Sequence, residues 1–202
     1  MNRDENAGPD GTYLVRSLYF DDVYETAYQD KLAGVQIRRK YRLRTYGNEN
    51  ENKVIKAECK YKLNANIAKT SADISNDEYY QILNGRYDFL LNKNDGLLLD
   101  YYAQFAGGLR PRVIVDYDRE AYIMPEGNVR VTFDHSVRAG VNTYDILSND
   151  VWLIPVLEPD QLVLEVKYDE FLPNKVRNVL KLNALEQLAV SKYVLCRMKQ
   201  FV

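Results

Sequence analysis

Charged and apolar residues alternate along residues 36–62 in a pattern that predicts two strands joined by a polar loop. The charged positions fall on every second residue, namely Arg38, Lys40, Arg42 and Arg44, then Lys56, Glu58, Lys60 and Lys62. Most positions between them are apolar, namely Ile37, Tyr41 and Leu43, then Ile55, Ala57, Cys59 and Tyr61. Because successive side chains of a strand point to opposite faces, this hairpin has one cationic face and one face toward a core. Arg39 breaks the apolar series.

The remainder of the chain predicts strands interspersed with helices. Strands are predicted at residues 13–20, 112–121, 129–134 and 162–168, with a weaker stretch from 137 to 155. Helices are predicted at residues 23–34, 75–83, 88–92, 97–105, 173–182 and 184–199. Asp21 and Asp22 can cap the first helix, and Ser75 with Glu78 forms a capping box for the second. Residues 64–70, which include Lys69, are predicted to form a loop.

Mostly antiparallel strands with inserted helices predict an α+β domain whose sheet curls toward a barrel. At 202 residues the chain fits one domain, which is predicted to cover residues 12–202. Residues 1–11 are polar and contain Gly and Pro, so they are predicted to be a disordered tail. A barrel interior lined with charge is tolerated only when it is wet or filled by a ligand of opposite charge.

Charge is unevenly distributed along the chain. Lysine and arginine together number 27 and the acids 29, so net charge alone predicts no polyanionic partner. Between residues 38 and 69, however, there are ten basic residues and three acids. Such a patch on an acidic body indicates a one-sided or enclosed anion site rather than a surface that coats nucleic acid. A solvated sheet face is the simpler alternative, but the planar guanidinium of arginine suits bidentate binding of phosphate oxygens.

Other classes of site lack a signal in the sequence. The two cysteines, Cys59 and Cys196, are too few for a metal cluster or a disulfide framework and are predicted to be small buried residues. The single histidine, His135, lacks a Ser or Cys partner signal and is interpreted as structural. With no P-loop or Gly-rich loop, a nucleotide is expected to be held mainly by its phosphates. No signal peptide and no run of 18 apolar residues are found, which predicts a cytoplasmic location.

Several motifs occur in an order that resembles a known family. They are YLVRSLYFDD, KLAG followed by IRRKYRLRTYG, IKAECKYK, PRVIVDYDREAY, VRVTFD, LVLEVKYDEFLP and a late SKY, over about residues 12 to 195. The set resembles the VTC domain, the vacuolar transporter chaperone type of polyphosphate polymerase, within the CYTH-like or triphosphate tunnel superfamily. The resemblance implies an antiparallel β-barrel, or tunnel, with inserted and C-terminal helices. VTC-like domains usually begin with a strand and a helix upstream of YLVRSLYFDD, which this chain is predicted to lack.

The resemblance also implies a site and an activity. The catalytic candidates are the basic residues Arg42, Arg44, Lys60, Arg119, Arg130, Lys167 and Lys192. Further phosphate-binding candidates are Lys31, Lys62, Tyr117 and Ser191. Glu165 matches the metal-binding glutamate of the family, and Glu58, between two lysines, is a second metal-ligand or charge-orienting candidate. The implied activity is transfer of the terminal phosphate of ATP to inorganic polyphosphate with Mn²⁺ or Mg²⁺, and a membrane-anchored partner or flanking segment outside this chain is compatible with it.

Two of the arginines have simpler interpretations. Arg119 lies in phase with the apolar Val113 and Val115, so its aim into the interior requires a bulge in the strand. It could instead pair with a neighbouring acid on its own strand. Arg130 could likewise pair with Asp116 across strands.

The late motifs are open to the same alternatives. Ser191 and Lys192 could be an ordinary surface dipeptide, and Glu165 with Lys167 could lie on an edge strand that faces water. Two other functions use the same cations. One is a tunnel-fold triphosphate or tripolyphosphate hydrolase, which tends to have more interior carboxylates. The other is a non-catalytic polyanion-binding module.

Overall fold

The computed structural model describes residues 1–47, 54–64, 66–169, 171–181 and 188–200. The strands in these ranges are β1 Asn2–Arg3, β2 Tyr13–Asp21, β3 Ile37–Tyr46, β4 Ile55–Leu63, β5 Asn66–Ile74, β6 Arg110–Met124, β7 Val129–Gly140, β8 Leu153–Pro155 and β9 Val163–Lys167. The helices are α1 Thr26–Leu32, α2 Asn76–Leu83, α3 Gly96–Ala106, α4 Asn174–Val179 and α5 Lys192–Lys199, with 3₁₀ turns at Asp88–Asn92 and Glu126–Asn128. The predicted α+β class is confirmed. None of the helices described here is long and apolar enough to cross a membrane.

All nine strands belong to one antiparallel sheet. Their order is β5–β4–β3–β2–β6–β7–β8, with β1 beside the end of β6 and β9 beside the start of β7. Lys60 on β4 and Glu165 on β9 influence each other's ionisation although four strands separate them along the sheet. The sheet must therefore curl and bring these strands toward each other. Within the described ranges no ladder joins the two edges, so the tunnel is a curled open sheet rather than a hydrogen-bonded barrel.

The two faces of the sheet have different partners. The outer face carries the apolar series of β3 and β4 and packs against α2 and α3 in the largest core, which includes Tyr41, Leu43, Ile55, Ala57 and Cys59. The opposite side, here called the inner face, carries the charged series Arg42, Arg44 and Glu58. The predicted alternation is therefore confirmed in the middle of the hairpin. It is wrong at the end, where Ile37 pairs with Leu63 outside this core and 56% of Ile37 is exposed.

Helix α5 covers one end of the inner face. Its residues Tyr193, Val194 and Cys196 pack on an apolar part of β6 and β7 that includes Val113 and Val137. The helix was predicted from residue 184, but residues 188–190 are not helical and 182–187 lie outside the described residues. The Ser191 side chain caps the helix by accepting a hydrogen bond from the backbone N–H of Val194 at 3.4 Å. The start of α5 therefore lies beside the charged part of the inner face.

Two further segments differ from their predictions. Residues 1–11 were predicted to be disordered, but β1 pairs with the part of β6 that extends beyond β2, and Asp4 is buried. A strand edge left unpaired in this way is readily covered by another segment. Residues 64–70 were predicted to be a loop, but Asn66–Ile74 forms β5 along the whole length of β4. Its residues are mostly exposed and lack an apolar alternation, so the pattern gave no strand signal.

Candidate functional site

The inner face of β3 carries the basic series that the alternation predicts. Arg39, which breaks the apolar series, has a partner on the outer face. Arg42 lies opposite Glu58 on β4, and Arg44 lies beside Ser17 on β2. Arg39 instead points to the outer face, where its Nη1 is 3.9 Å from the Asp100 carboxylate on α3. The same hairpin therefore offers one arginine series toward the interior and one arginine on the other side.

Glu58 connects the cations in the middle of the inner face. Its carboxylate accepts hydrogen bonds from Arg42 Nε and Lys69 Nζ, each at 2.7 Å, and lies 3.9 Å from Arg44 Nη1. Burial on its own would raise the pKa of Glu58, but Arg42, Arg44 and the Lys69 hydrogen bond outweigh it and lower the pKa to about 2. Glu58 is therefore ionised and fits the charge-orienting alternative better than the metal-ligand one.

Arg44 is held mainly by hydroxyl groups. Its Nε donates to Ser17 Oγ at 2.8 Å, and its two terminal nitrogens lie 3.3 Å from the Tyr117 hydroxyl and 3.5 Å from the Tyr46 hydroxyl. These contacts use three of the five N–H groups of a guanidinium and do not compensate its charge. Arg44 is only 6% exposed, so an anion on the inner face would meet a rigid, desolvated cation.

A second buried carboxylate organises the next group of cations. Asp134 on β7 accepts two hydrogen bonds from Arg119, at 2.6 and 2.8 Å, and its Oδ2 is 2.6 Å from Lys192 Nζ at the start of α5. Both cations also lie over the Tyr117 ring, at 5.1 and 5.0 Å from its centroid. Burial would raise the pKa of Asp134, but the two cations outweigh it and lower that pKa. Lys192 is therefore part of the inner face and not a surface residue.

The Arg119 side chain lies on the inner face, and this orientation does not require a bulge next to it in β6. The face it shares with Val113 and Val115 is the inner face, whose apolar end lies under α5. The irregularity lies in β7, which has one residue more than β6 between the pairs Asp116–Arg138 and Asp118–His135. Within this stretch Ser136 has a φ of 49°. The extra residue puts Asp134 directly across from Arg119.

Arg130 lies at the end of the inner face that is farther from α5. Its Nη2 donates to Asp4 Oδ2 at 2.6 Å and to the Tyr13 hydroxyl at 3.0 Å. The predicted alternative partner, Asp116, is occupied on the outer face by Arg16 and Arg138. The N-terminal segment therefore contributes a residue to the rim of the site.

Around the start of α5, lysines and hydroxyls connect the hairpin to the helix. Lys40 Nζ donates to Ser191 Oγ at 3.0 Å and lies 5.1 Å from the centroid of the Tyr193 ring. Burial, together with nearby cations, lowers the pKa of Lys40 to about 8. Lys31 donates to the carbonyl of Ala189 at 2.9 Å, so it lies at the edge of the site rather than at its centre.

The strand β9 completes the opposite side of the inner face. Glu165 pairs with Thr132 and Lys167 with Arg130 in the ladder to β7, which places both on the inner face as the alternation predicts. Glu165 Oε1 lies 3.5 Å from Lys167 Nζ. Burial would raise the pKa of Glu165, but Lys167, Lys192, Arg119 and Lys60 lower it. Glu165 therefore lies within electrostatic range of cations on β4, β6 and α5.

The structure brings most predicted site residues to one face, namely Arg42, Arg44, Glu58, Lys60, Tyr117, Arg119, Arg130, Glu165, Lys167, Ser191 and Lys192. Lys31 and Lys62 form a looser group with Arg38 at the hairpin end. His135 is stacked on Phe133, 6.5 Å away, and is not among the grouped cations.

Sequence reasoning missed several residues of the site. Lys69 lies on the strand that was predicted to be a loop. No pattern in the sequence identifies Asp134 and Asp4 as partners of the cations. Tyr19 is a fourth, because its hydroxyl accepts a hydrogen bond from Arg42 at 2.7 Å. Burial would raise the pKa of Tyr19, but Arg42 and Arg44 lower it to about 8. The alternation of Tyr19 with Leu18 and Phe20 was a signal that could have placed it on the inner face.

The residues fit a metal ion only in one arrangement. Within the described ranges, no group of three or more His, Cys, Asp and Glu side chains could hold a metal. Glu58 and Asp134 are each bound to two cations, whereas Glu165 is half-exposed and has Lys167 at 3.5 Å. Mg²⁺ commonly binds one or two carboxylates together with phosphate oxygens. Glu165 therefore fits an ion that is shared with bound phosphate, and an all-protein metal cage does not fit.

Two solved structures have a similar fold. A candidate adenylyl cyclase from Hippeastrum, described as having a dominant triphosphatase activity, aligns with a TM-score of 0.54 at 14% identity over 95% of this chain and 84% of that protein. A candidate adenylate cyclase from Bacillus halodurans aligns with a TM-score of 0.53 at 12% identity, over 91% and 81% of the two chains. At these identities the likeness shows the fold alone.

The sequence comparison gives the family. No match was found among curated proteins. The VTC domain profile, in contrast, matches residues 1–201, almost the full length of the sequence. The chain therefore belongs to the VTC domain family.

Proposed function

We propose that this domain is a polyphosphate polymerase, which binds ATP and inorganic polyphosphate along the inner face and transfers the terminal phosphate of ATP to the polyphosphate chain. The observation that carries the proposal is the convergence of cations from four strands and one helix on a single face. They are Arg42 and Arg44 on β3, Lys60 on β4, Arg119 on β6, Arg130 on β7 and Lys192 on α5.

The arginines keep hydrogen-bond donors that the protein's own acids do not use. Arg42 uses three N–H groups on Glu58 and Tyr19, and Arg119 uses two on Asp134, which leaves donors on both guanidiniums. The buried carboxylates beside the guanidiniums hold them in place, so little reorganisation is needed when phosphate binds. Phosphoryl transfer asks the protein mainly for such positioning and charge stabilisation.

The proposed reaction is a single displacement at phosphorus. A terminal oxygen of the polyphosphate chain forms a bond to the γ-phosphorus of ATP, the bond from that phosphorus to the β–γ bridging oxygen breaks, and ADP leaves. Arg42, Arg44 and Arg119 would hold the phosphates in line and offset their charge. Glu165 would hold a Mn²⁺ or Mg²⁺ ion, which when bound neutralises charge on the phosphate oxygens.

The hydrolase alternative uses the same cations but needs a group that activates water. Glu58 and Asp134 are poorly suited to that task, because each carboxylate is bound to two cations, which lowers its basicity. This favours polymer handling over hydrolysis.

We propose a cytoplasmic location for the protein, because its two thiols, Cys59 and Cys196, are free and buried.

The experiment is incubation with ATP and Mn²⁺, followed by gel analysis of polyphosphate length. We expect the polymer to grow with the wild-type protein and not with Glu165→Gln. Release of free phosphate without polymer would replace the proposal by the triphosphate hydrolase. Binding of polyphosphate without any turnover, and with equal affinity in Glu165→Gln, would replace it by the non-catalytic binding module.

A further inference from the structure

A pocket lies at the end of the inner face that is farther from α5. It has a volume of about 410 Å³ and is lined by Asn6, Tyr13, Tyr46, Gly47 and Arg130. Its composition differs from that of the cationic centre, because two tyrosine rings lie 6.3 Å apart at an interplanar angle of 55°. Among the described residues, the lining of the pocket is therefore partly aromatic and includes one cation.

The pocket is continuous with the phosphate-binding cations. The Tyr46 hydroxyl lies 3.5 Å from Arg44 Nη1, and the Arg44 guanidinium carbon lies 5.7 Å from the centroid of the Tyr46 ring. The Tyr13 hydroxyl accepts a hydrogen bond from Arg130. Tyr46 is 37% exposed, whereas Tyr13 is 7% exposed, so Tyr46 is the ring that a ligand can reach.

We propose that this pocket binds the base and ribose of the nucleotide, with the Tyr46 ring as the surface on which the base stacks. The inference rests on the proposed function, in which the triphosphate lies against Arg44. A triphosphate in contact with Arg44 places its nucleoside end either at Tyr46 or toward α5. The α5 end is filled by the apolar packing of Tyr193 and Val113, whereas at the Tyr46 end the described residues leave a pocket.

The recognition expected here is stacking without selection between bases. Among the residues that the structure describes, the polar side chains that line the pocket besides the two tyrosines are Arg130, which is held by Asp4, and Asn6, whose amide donates to Asp4 at 2.8 Å. Every base has a π-face, so an aromatic platform binds purines and pyrimidines alike. This agrees with the absence of a nucleotide-binding loop in the sequence.

The test compares the β,γ-imido analogue of ATP with tripolyphosphate in calorimetric titrations. Tyr46→Ala is expected to lower the affinity for the ATP analogue about tenfold, and to lower that for tripolyphosphate much less. Tyr46→Phe keeps the ring and should keep the ratio of the two affinities at its wild-type value. Tyr46→Leu keeps the apolar bulk without the π-face, and should reproduce the selective loss if Tyr46→Ala fails to fold. Tyr24→Ala, at a tyrosine that is 83% exposed before α1, is the matched control and should change neither affinity.

The outcomes separate this inference from the function on which it rests. If Tyr46→Ala and Tyr46→Leu weaken both ligands equally, Tyr46 acts on the phosphates through Arg44 and the base site is overturned, while the proposed function stands. Unchanged affinity for both ligands overturns the base site in the same way. If the wild-type protein binds neither the ATP analogue nor tripolyphosphate, both the base site and the proposed function are overturned.

Discussion

Glu58 and Asp134 are buried acids of the inner face, and each is matched by two cations within hydrogen-bond distance. A buried ion pair gains little net stability, because desolvation of both charges offsets their attraction. Its effect here is geometric. Each acid fixes a guanidinium at a defined place and leaves some of its N–H groups directed away from the acid. The acids therefore serve as supports for the cations that would contact phosphate.

The alternation of β3 provides a matched pair of substitutions. Arg42→Ala is expected to weaken binding of tripolyphosphate by about 1 to 3 kcal/mol, the range for a charge-assisted hydrogen bond. Arg39→Ala removes the same charge from the same strand, but from the outer face, where Arg39 faces Asp100. It should change the affinity little. Isothermal titration of both variants gives the comparison, and equal losses would mean that attraction depends on net charge and not on the inner face.

Tyr19 gives the binding of phosphate a pH dependence. Arg42 and Arg44 outweigh the burial of this phenol and lower its pKa to about 8, so it becomes an anion above that pH. A bound phosphate chain disfavours the phenolate and raises its pKa in the complex, so the affinity for polyphosphate should fall as the pH rises through about 8. Titrations at pH 7 and pH 9 measure the effect, with Tyr19→Phe as the control in which the fall should be smaller. A fall of the same size in Tyr19→Phe would assign the pH dependence to other groups, of which Lys40 is the nearest candidate.

At the scale of elements, α5 determines where the inner face is closed and where it is charged. Its apolar residues cover one end, and Lys192 at its start binds Asp134. The Tyr193 ring stacks on Tyr19 at 5.1 Å, and its hydroxyl donates to the buried Asp21 at 2.6 Å. The helix is thus attached to the sheet by both packing and polar contacts.

The attachment can be weakened without changing the cations. Tyr193→Phe keeps the ring stack but removes the hydrogen bond to Asp21, which should lower the free energy of unfolding by about 1.5 to 3 kcal/mol. Urea unfolding measures this loss, and the affinity for tripolyphosphate should stay as in the wild type. A large loss of affinity with unchanged stability would show that Tyr193 acts on the ligand rather than on the position of α5.

The elements that the sequence predicts well are those whose pattern reflects burial on one side. The hairpin β3–β4, the strand β9 and the capped helix α2 are of this kind, because α2 shows the predicted capping box and the strands show the predicted alternation. The strand β5 is an exposed edge that lacks such a pattern. Its Lys69 could therefore not be placed beside Glu58.

Partners that are distant in the chain could not be predicted from local pattern. Asp134 meets Arg119 because β7 has an extra residue near Ser136, and it meets Lys192 because α5 begins there. Asp4 meets Arg130 because β1 covers an otherwise free part of β6. Each of these contacts depends on strand register or on the end of an element, which a single sequence specifies weakly.

At the scale of the whole molecule, the curl of the sheet turns separate strand faces into one site. Lys60 and Glu165 lie on strands at opposite sides of the sheet, yet the charge of each acts on the pKa of the other. Neighbouring strands are about 5 Å apart, so cations on adjacent strands match the spread of a short phosphate chain. The chain of phosphates is therefore expected to lie inside the curled sheet.

A crystal structure of the protein with tripolyphosphate tests this location most directly. We expect density for the ligand on the inner face, in contact with Arg42, Arg44 and Lys60 together. Density on the outer face, or only at the Lys31, Arg38 and Lys62 group at the hairpin end, would contradict it.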